Sequence, residues 1–421
     1  MKITMLGTGY VGLVSGVGFA EQGHEVSFID LDISKIQNLQ KKQLPFFEPE
    51  LDQYFEKDEN FSRMSFHSNY ESIDWQLIDL VFICVQTPNN LETNSVDTKF
   101  LESAISEISK LENRDITITV KSTIPPYEIE NVCKKVGYDK NLLTFNPEFL
   151  REGSAVSDFF NPDRIVIGGL NSEKIEKLKK LYESFDAEVV ITDPISSQLI
   201  KYLANTYLPL RLSFVNEATR LSEYSGANLT DVLKGVGLDS RIGSHYFRPS
   251  PSWGGSCFPK DLVEVNNFYN QEELNLPLIS NIIGSNDEHL QWTVNQLFSL
   301  KKNNSLKTIV LVGAAFKEDT DDLRNSPTID IYKVLKEMEE EVMILDTEID
   351  VPNYKSVKQL DEVPSNSLLS IMYPLKEELS KNISNYANNN ECIIYYPWSK
   401  FENINYWRCR VCMFTSCRQT L

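Results

Sequence analysis

The sequence is short of basic side chains: Lys and Arg number 41 against 60 Asp and Glu, which gives a formal net charge of −19. A surface of that sign repels nucleic acid and anionic lipid as a whole. We therefore expect no nucleic-acid partner and no membrane partner. An anionic ligand has to be bound by backbone N–H donors and by a few Lys or Arg side chains positioned at its site.

Membrane, export and metal signals are missing as well. No apolar run approaches the ~18–20 residues of a membrane-spanning helix, and the apolar start of the chain lacks the long h-region and cleavage site of a signal peptide. The seven cysteines are an odd number, which without a secretory signal indicates a reducing compartment. These features predict a cytoplasmic protein without a metal site. No ligand spacing relates the histidines, His24, His67, His245 and His289.

Length and patterning predict an α/β protein of two or three domains. A domain takes about 150 residues, and this chain has 421, of which 41% are hydrophobic. In the first part of the chain, near-continuous apolar segments alternate with helical stretches, which favours a parallel sheet covered on both faces. The predicted strands are Lys2–Leu6, Glu25–Ile29, Leu80–Val85, Ile116–Lys121, Leu142–Phe145, Arg164–Ile167 and Val189–Ile191.

The pattern then changes to a long helix. It is predicted over Ser196–Tyr224, started by Ser196 and Ser197, kinked at Pro209 and stopped by Gly226. More helix follows to about residue 300. This region is expected to form a spine between two lobes and a dimer surface.

A second α/β domain is expected after a polar linker at Lys301–Leu306. Its predicted elements are a strand at Thr308–Val312, a helix at Thr328–Met338 and a strand at Glu341–Leu345. The expected fold is therefore two Rossmann-like parallel-sheet domains joined by a long central helix and a helical dimerisation region. The predicted domain boundaries are 1–195, 196–300 and 301–421.

A glycine-rich motif, Gly7-Thr8-Gly9-Tyr10-Val11-Gly12, follows the first predicted strand and precedes a helix. Its glycines permit a tight turn, close approach of the backbone to a pyrophosphate, and close helix–strand packing, and the helix N-terminus supplies N–H donors. Asp30, at the end of the second strand, suits a ribose 2′-hydroxyl and repels a 2′-phosphate. The motif therefore favours NAD over NADP. The alternative is that the glycines serve only a tight turn between the strand and the helix. Lys35 is either a contact of the adenosine or an ordinary surface lysine.

The segment Ser252–Asp261 contains a second informative motif, Gly254-Gly255-Ser256-Cys257-Phe258-Pro259-Lys260-Asp261. The two glycines bring backbone close to a ligand, and Pro259 suits the first turn of a helix. Cys257 then lies at a helix N-terminus, where the dipole and Lys260 favour the thiolate. Asp261 is four residues further on and is expected to face back toward the sulfur.

A nucleophilic cysteine beside a nicotinamide implies more than the oxidation of an alcohol. A thiolate adds to an aldehyde, and the adduct gives up a second hydride to become a thioester that water cleaves to a carboxylate. The alternative is a buried structural cysteine.

With these two motifs, the sequence resembles the UDP-glucose 6-dehydrogenase family of nucleotide-sugar dehydrogenases, also called the UDP-glucose/GDP-mannose dehydrogenase family. The resemblance extends to about residue 345. Four further blocks carry it in order: Lys121–Pro126 (KSTIPP), Asn146–Gly153 (NPEFLREG), Lys201–Asn205 (KYLAN) and Phe316–Arg324 (FKEDTDDLR).

The resemblance implies roles for individual residues. Cys257 would be the nucleophile and Glu148 the general base for the thioester, Lys201 and Asn205 would stabilise oxyanions, and Thr123 and Asp261 would order water. Glu148 and Glu152 share a face if their segment is helical. The implied NAD contacts are Gly7, Gly9, Tyr10, Val11, Gly12, Asp30, Lys35, Thr87, Thr123, Glu152, Lys260 and Arg324. The implied sugar-nucleotide contacts are Glu148, Phe149, Leu150, Glu152, Lys201, Asn205, Arg241, Phe247, Gly254, Cys257 and Lys317.

The resemblance also implies the reaction and the partners. The expected activity is NAD-dependent four-electron oxidation of UDP-glucose to UDP-glucuronate by a homodimer or higher homo-oligomer, in which Arg241 reaches the substrate of the neighbouring subunit. The boundaries then delimit an NAD-binding domain, a central domain and a UDP-sugar-binding domain. Two alternatives stay open: the same chemistry on a UDP-N-acetylhexosamine or GDP-mannose, and a catalytically silent nucleotide-binding protein.

The C-terminal end departs from the family pattern. An Asp-x-Arg-like segment is common in the family after the last strand, but Ile393–Lys400 contains no arginine, which leaves the sugar in doubt. Lys400 would be a cation without the bidentate fork of arginine. The tail cysteines, Cys409, Cys412 and Cys417, lack a fourth ligand for zinc.

Overall fold

A computed structural model gives the fold of the protein and describes residues 1–90, 95–111, 115–271 and 274–396. The described residues form two compact units, one of residues 1–204 and 263–271, the other of residues 205–262 and 274–396. The three-part division expected from the sequence stays a prediction, and the tail cysteines lie outside the described residues.

The first unit contains a large sheet of eight strands in the order β10-β9-β8-β7-β4-β1-β2-β3. Its central strands are buried along their whole length, as a sheet covered on both faces requires. A short hairpin, β5 with β6, stands apart from it. The strands are β1 Lys2–Leu6, β2 Glu25–Ile29, β3 Met64–His67, β4 Leu80–Ile83, β5 Asn89–Asn90, β6 Ser95–Val96, β7 Thr117–Val120, β8 Leu143–Phe145, β9 Arg164–Gly169 and β10 Glu188–Thr192.

The seven strands predicted for this part of the chain are present, and β3 and the hairpin were not predicted. One pairing also differs from the expected parallel sheet, because β9 runs antiparallel to β8, with Phe145 opposite Gly168. The segment 146–163 therefore does not cross the sheet. It begins and ends at the carboxyl edge of β8, which is the edge where β1 ends in the glycine-rich motif.

Helices cover both faces of this sheet. One apolar core lies between the sheet and α1, α2, α3, α7 and α8, and a second lies between the sheet and α5 and α6. The α/β class and the doubly covered sheet are thus confirmed. The helices are α1 Tyr10–Glu21, α2 Ile33–Gln40, α3 Leu51–Glu56, α4 Asp58–Arg63, α5 Lys99–Ser109, α6 Glu128–Val136, α7 Ala155–Phe160 and α8 Ser172–Leu181.

The long helix, α9, runs over Pro194–Ser225 and contributes residues to both units. It continues through Pro209 and ends before Gly226, whose φ is +70°. Its predicted start at Ser196 was wrong, because Asp193 provides the cap: its carboxylate accepts the Ser196 N–H at 2.9 Å and the Ser196 hydroxyl at 2.6 Å.

The second unit contains further helices and a parallel sheet of five strands in the order β13-β12-β11-β14-β15. Apolar cores lie on both faces of this sheet. The predicted linker at Lys301–Leu306 was wrong in its first half, since α13 continues to Asn303. The elements are α10 Leu229–Gly237, α11 Phe258–Gln271 (shared with the first unit), α12 Pro277–Ser280, α13 Ile282–Asn303, β11 Thr308–Val312, α14 Pro327–Glu337, β12 Val342–Leu345, β13 Ser356–Val357, β14 Ser367–Ile371, α15 Glu377–Asn389 and β15 Ile393–Tyr395.

Among the described residues, no helix combines the length and the apolar character needed to cross a membrane.

Close packing of α1 on α7 gives a stability prediction. A Cβ on Gly18 would lie 2.2 Å from the ring of Phe159, which is itself confined by other aromatic rings. Gly18→Ala should therefore lower the free energy of unfolding by about 1–3 kcal/mol. Gly284→Ala in α13 is the matched control: its Cβ would meet no described atom within 4 Å, so it should be neutral or stabilising by up to ~1 kcal/mol. Urea unfolding of both variants measures this, and equal midpoints would contradict it.

Candidate functional site

The glycine-rich motif forms a tight turn at the carboxyl end of β1. The Gly7 N–H bonds to the carbonyl of Ile29 at 2.8 Å, and Gly7 has a φ of +96° that favours glycine. A Cβ on Gly12 would lie 2.0 Å from the Gly7 carbonyl oxygen, so this position needs glycine for packing within the turn. A Cβ on Gly9 would meet no described atom within 4 Å. Of these three glycines, Gly9 therefore borders open space.

Helix α1 begins beside that space. Its first hydrogen bond joins the N–H of Leu13 to the carbonyl of Gly9 at 2.9 Å, so the N–H groups of Tyr10, Val11 and Gly12 precede the first donor of the helical ladder. Such an N-terminus attracts phosphate through its N–H groups and its dipole.

Asp30 lies next to the turn, after β2. Its carboxylate accepts the Thr8 N–H at 2.9 Å, the Thr8 hydroxyl at 2.7 Å and the Asp32 N–H at 3.0 Å, and it pairs with Lys35 at 3.1 Å. Burial disfavours ionisation, but these donors outweigh it and hold the pKa of Asp30 below its usual value. An ionised carboxylate is thus fixed at the turn, and Lys35 is its ion-pair partner.

Thr87 and Thr123 meet at the same edge of the sheet. The Thr87 hydroxyl donates to the Thr123 carbonyl at 2.8 Å. The next residue, Ile124, donates its N–H to the side chain of Gln198 on α9 at 3.3 Å. The loop after β7 is therefore tied both to the loop after β4 and to the long helix.

Glu148 and Lys201 form a buried ion pair in the first unit. The Lys201 ammonium donates to the Glu148 carboxylate at 2.8 Å and to its backbone carbonyl at 2.7 Å. The other carboxylate oxygen accepts the Leu150 N–H at 2.7 Å. The side chains are only 9% and 4% exposed, so the pair holds a base and a cation together away from bulk water.

The segment between Glu148 and Ser154 is irregular, so Glu148 and Glu152 do not share a helix face. Phe149, Leu150 and Glu152 are half-buried there. Sequence reasoning missed Arg164, whose guanidinium carbon lies 3.6 Å from the centroid of the Phe149 ring. Its position at the start of a strand carried no functional signal.

Cys257 lies in the second unit, directly before α11. Its side chain is exposed, and Pro259 occupies the first turn of the helix as predicted. Asp261 in the same turn is 1% exposed. Its carboxylate accepts the side-chain amide of Asn205 at 2.6 Å and pairs with Lys260 at 2.8 Å. Asp261 therefore contacts two other predicted residues, Asn205 and Lys260.

The two glycines before Cys257 are required by packing. A Cβ on Gly254 would lie 1.9 Å from the carbonyl oxygen of Asn325, and one on Gly255 would lie 2.8 Å from the ring of Phe316. The sequence interpretation assigned this close approach to a ligand. On the side of the chain where a Cβ would project, backbone and ring atoms of the segment after β11 fill this space instead, so a ligand contact of Gly254 would have to use its backbone.

The remaining predicted contacts lie on the surface of the second unit. Arg241 is exposed and pairs with Asp239 at 2.6 Å, and Arg324 is exposed and pairs with Asp322 at 2.6 Å. Phe247 is half-buried against Phe214, with ring centroids 6.3 Å apart. Lys317 is half-buried beside Phe316.

Within the part of the chain that the structure describes, no group of three or more His, Cys, Asp and Glu side chains is placed to hold a metal ion.

The turn at Gly7–Gly12, the open space at Gly9 and the ionised Asp30 define a dinucleotide-binding α/β protein. Three family models match the chain: the NAD binding domain of the UDP-glucose/GDP-mannose dehydrogenase family over residues 1–186, its central domain over 195–288 and its UDP binding domain over 310–417. The chain belongs to the UDP-glucose/GDP-mannose dehydrogenase family.

Individual relatives agree with this assignment. A UDP-glucose 6-dehydrogenase of Rickettsia felis is 40% identical over 342 residues, 80% of this chain and 76% of the relative. One of Rhizobium meliloti is 36% identical over 347 residues, 80% of this chain and 79% of the relative. The structure of a UDP-glucose dehydrogenase from Pyrobaculum islandicum superposes with a TM-score of 0.83 at 29% identity and covers 94% of each chain.

These findings confirm the resemblance, the fold class and the cofactor predicted from the sequence. The protein is an oxidoreductase that uses NAD. The turn fits this cofactor, because Gly9 leaves room for a pyrophosphate and Asp30 presents an anion that suits a ribose hydroxyl and disfavours a 2′-phosphate.

Two glycine substitutions separate cofactor binding from folding. Gly9→Ala places a methyl group in the open space, so NADH affinity should fall at least about tenfold while the melting temperature stays unchanged. Gly12→Ala drives its methyl group into the Gly7 carbonyl, so both affinity and melting temperature should fall. NADH fluorescence titration and thermal unfolding measure the two effects. Normal NADH binding by Gly9→Ala would show that the open space is not the pyrophosphate site.

Proposed function

We propose that this protein oxidises UDP-glucose to UDP-glucuronate in two NAD-dependent steps, with Cys257 holding the half-oxidised sugar. The proposal rests on one observation: an exposed thiol stands at the start of α11, and the first turn of that helix carries the buried Asp261. The choice of UDP-glucose as the substrate rests on the relatives named UDP-glucose 6-dehydrogenase.

The first step converts the sugar C6 alcohol to an aldehyde. NAD⁺, when bound, accepts the hydride. The hydroxyl proton leaves to water ordered by Thr123 and Asp261, and the ammonium of Lys201 and the amide of Asn205 stabilise the developing alkoxide. Asn205 is oriented for this by its 2.6 Å bond to Asp261.

The second step passes through the thiol. The Cys257 sulfur adds to the aldehyde carbon to give a thiohemiacetal. Transfer of its C6 hydride to a second NAD⁺, with loss of the hydroxyl proton to water, gives a thioester. Glu148 then takes a proton from water, the hydroxide adds to the thioester carbon, and the C–S bond breaks to release the carboxylate and the thiol. Lys201, bonded to Glu148 at 2.8 Å, stabilises the tetrahedral oxyanion.

The binding roles implied by the family resemblance stay part of the proposal. NAD contacts are assigned to the glycine-rich turn, Asp30, Lys35, Thr87, Thr123, Glu152, Lys260 and Arg324. Sugar-nucleotide contacts are assigned to Phe149, Leu150, Arg241, Phe247, Gly254 and Lys317. The C-terminal segment at 397–400, where the family arginine is missing, lies outside the described residues, so a substrate comparison decides the sugar.

The stoichiometry of NADH tests the proposal. One equivalent of UDP-glucose should yield two NADH, read at 340 nm, because the aldehyde stays on Cys257 until it is oxidised again. Cys257→Ser should form at most about one NADH per active site and stall, since the serine hydroxyl stays protonated at neutral pH and adds to the aldehyde far less readily than a thiolate.

UDP-N-acetylglucosamine and GDP-mannose serve as comparison substrates in the same assay. Higher kcat/KM for either of them would reassign the sugar without changing the chemistry. Release of aldehyde by the intact enzyme after a single NADH would overturn the two-step proposal, and no NADH from any of the three would favour the silent alternative.

We also propose that the protein is a homodimer or a higher homo-oligomer in the cytoplasm. Large apolar side chains recur at intervals of seven along α9: Tyr207, Phe214 and Leu221 are 56%, 57% and 66% exposed. Seven residues make nearly two helical turns, so these side chains lie on one face, as in a helix-to-helix seam. A second copy of the chain would cover that face.

Substitutions on this face test the oligomer. Tyr207→Asp combined with Leu221→Asp should convert the protein to monomers, measured by sedimentation velocity at micromolar concentration, because buried unpaired carboxylates oppose association. Leu170→Asp, at a leucine 55% exposed outside α9, is the control and should leave the assembly unchanged. A wild-type protein that sediments as a monomer would contradict the proposal.

A further inference from the structure

The buried side chain of Glu48 contacts two segments that are far from it in sequence. Glu48 lies between α2 and α3 in an irregular loop and is 2% exposed. Its Oε2 accepts the hydroxyl of Tyr10 and the N–H of Gly153, the latter at 2.7 Å, and its Oε1 accepts the N–H of Ala155 at 2.7 Å. Both carboxylate oxygens are therefore engaged.

The first contact is with the cofactor turn. Tyr10 is the first residue of α1 and the fourth residue of the glycine-rich motif. Its ring is also held by Phe46, with ring centroids 5.0 Å apart. Burial, together with the Glu48 carboxylate, raises the pKa of the Tyr10 hydroxyl above its usual value, so this group is a hydrogen-bond donor at neutral pH.

The other two contacts are with the segment that follows Glu148. Gly153 has a φ of +81°, and Ala155 is the first residue of α7. Glu152, which has a predicted role in binding, directly precedes Gly153. Its negative charge contributes to the raised pKa of the Tyr10 hydroxyl. The Glu48 carboxylate thus fixes one end of the segment 148–155, and Lys201 fixes the other end at Glu148.

We propose that Glu48 is a positioning residue that couples the NAD-binding turn to the segment carrying Glu148 and Glu152. The coupling to catalysis rests on the proposed roles of those two glutamates, whereas the coupling to cofactor binding does not. Glutamate is required because three donors converge on it: an ionised carboxylate accepts all of them, while an amide has one acceptor oxygen and would turn its NH₂ toward a backbone N–H.

Two single variants and their combination test the coupling. Tyr10→Phe removes one donor and keeps the ring against Phe46, and Glu48→Gln removes an acceptor at constant size. Each should weaken NADH binding by about threefold to tenfold and lower kcat by about tenfold, since hydrogen bonds to charged groups are the stronger ones. Glu50→Gln, an exposed glutamate of the same loop, is the matched control and should keep both values.

The double variant distinguishes coupling from a purely structural role. Because both changes act on the same three-donor carboxylate network, Tyr10→Phe should add less than about twofold to the effects of Glu48→Gln. A structural Glu48 would lower the melting temperature while NADH affinity and kcat per folded molecule stayed at wild-type values, which would overturn the inference. Independent multiplicative effects of the two changes would also overturn it. If Glu48→Gln does not fold, wild-type values for Tyr10→Phe decide against the coupling.

NADH titration keeps this test separate from the proposed function. It needs no sugar nucleotide, so the cofactor half of the coupling is measured even if UDP-glucose is not the substrate. A wild-type enzyme that produces no NADH from UDP-glucose would count against the proposed function only, and unchanged NADH binding in all variants would count against Glu48 only.

Discussion

A buried ion pair between Lys201 and Glu148 fixes the loop after β8 in the first unit. Burying two charges costs several kcal/mol per ion, and this cost is offset only where the partners meet in good geometry with further hydrogen bonds. Lys201 satisfies that condition with two bonds to Glu148, and the Leu150 N–H occupies the other carboxylate oxygen. The pair therefore anchors the loop after β8 to α9, and loss of either partner would leave a buried unpaired charge.

The same loop is held at its far end by Glu48, so its middle is supported from both sides without being part of a helix or strand. Phe149, next to the end held by Lys201, packs against the guanidinium of Arg164. In the second unit, Asp261 plays a comparable part for Asn205. In both units a buried carboxylate orients the side chain or segment that the proposed chemistry uses, which is how an enzyme keeps its polar groups preorganised.

Local signals in the sequence predicted the parts of the site that depend on neighbouring residues. The glycine-rich turn, Asp30 at the end of β2 and Cys257 at the start of α11 each need only a strand or helix boundary nearby, and those boundaries are marked by glycine, proline and apolar runs. The end of α9 at Gly226 follows the same rule. The start of α9 differed because Asp193 competes with the serines as a cap, and short-range patterns do not rank such neighbours.

Contacts between distant segments had no such signal. Glu48 is 105 residues from Gly153, and nothing in its loop has a period that marks burial. Arg164 begins a strand, and only the antiparallel return of β9 brings it over Phe149. The packing of Gly254 against Asn325 was likewise assigned to a ligand, because the sequence shows that a glycine is needed but not which atom approaches it.

The intact mass of the Glu148→Gln variant after incubation with UDP-glucose and NAD⁺ shows whether Glu148 hydrolyses a thioester on Cys257. Without the base that Lys201 holds in place, the thioester should persist, and Cys257 should carry an added UDP-glucuronyl group that is absent when Cys257 is also replaced by serine. An unmodified protein accompanied by aldehyde in solution would contradict the account.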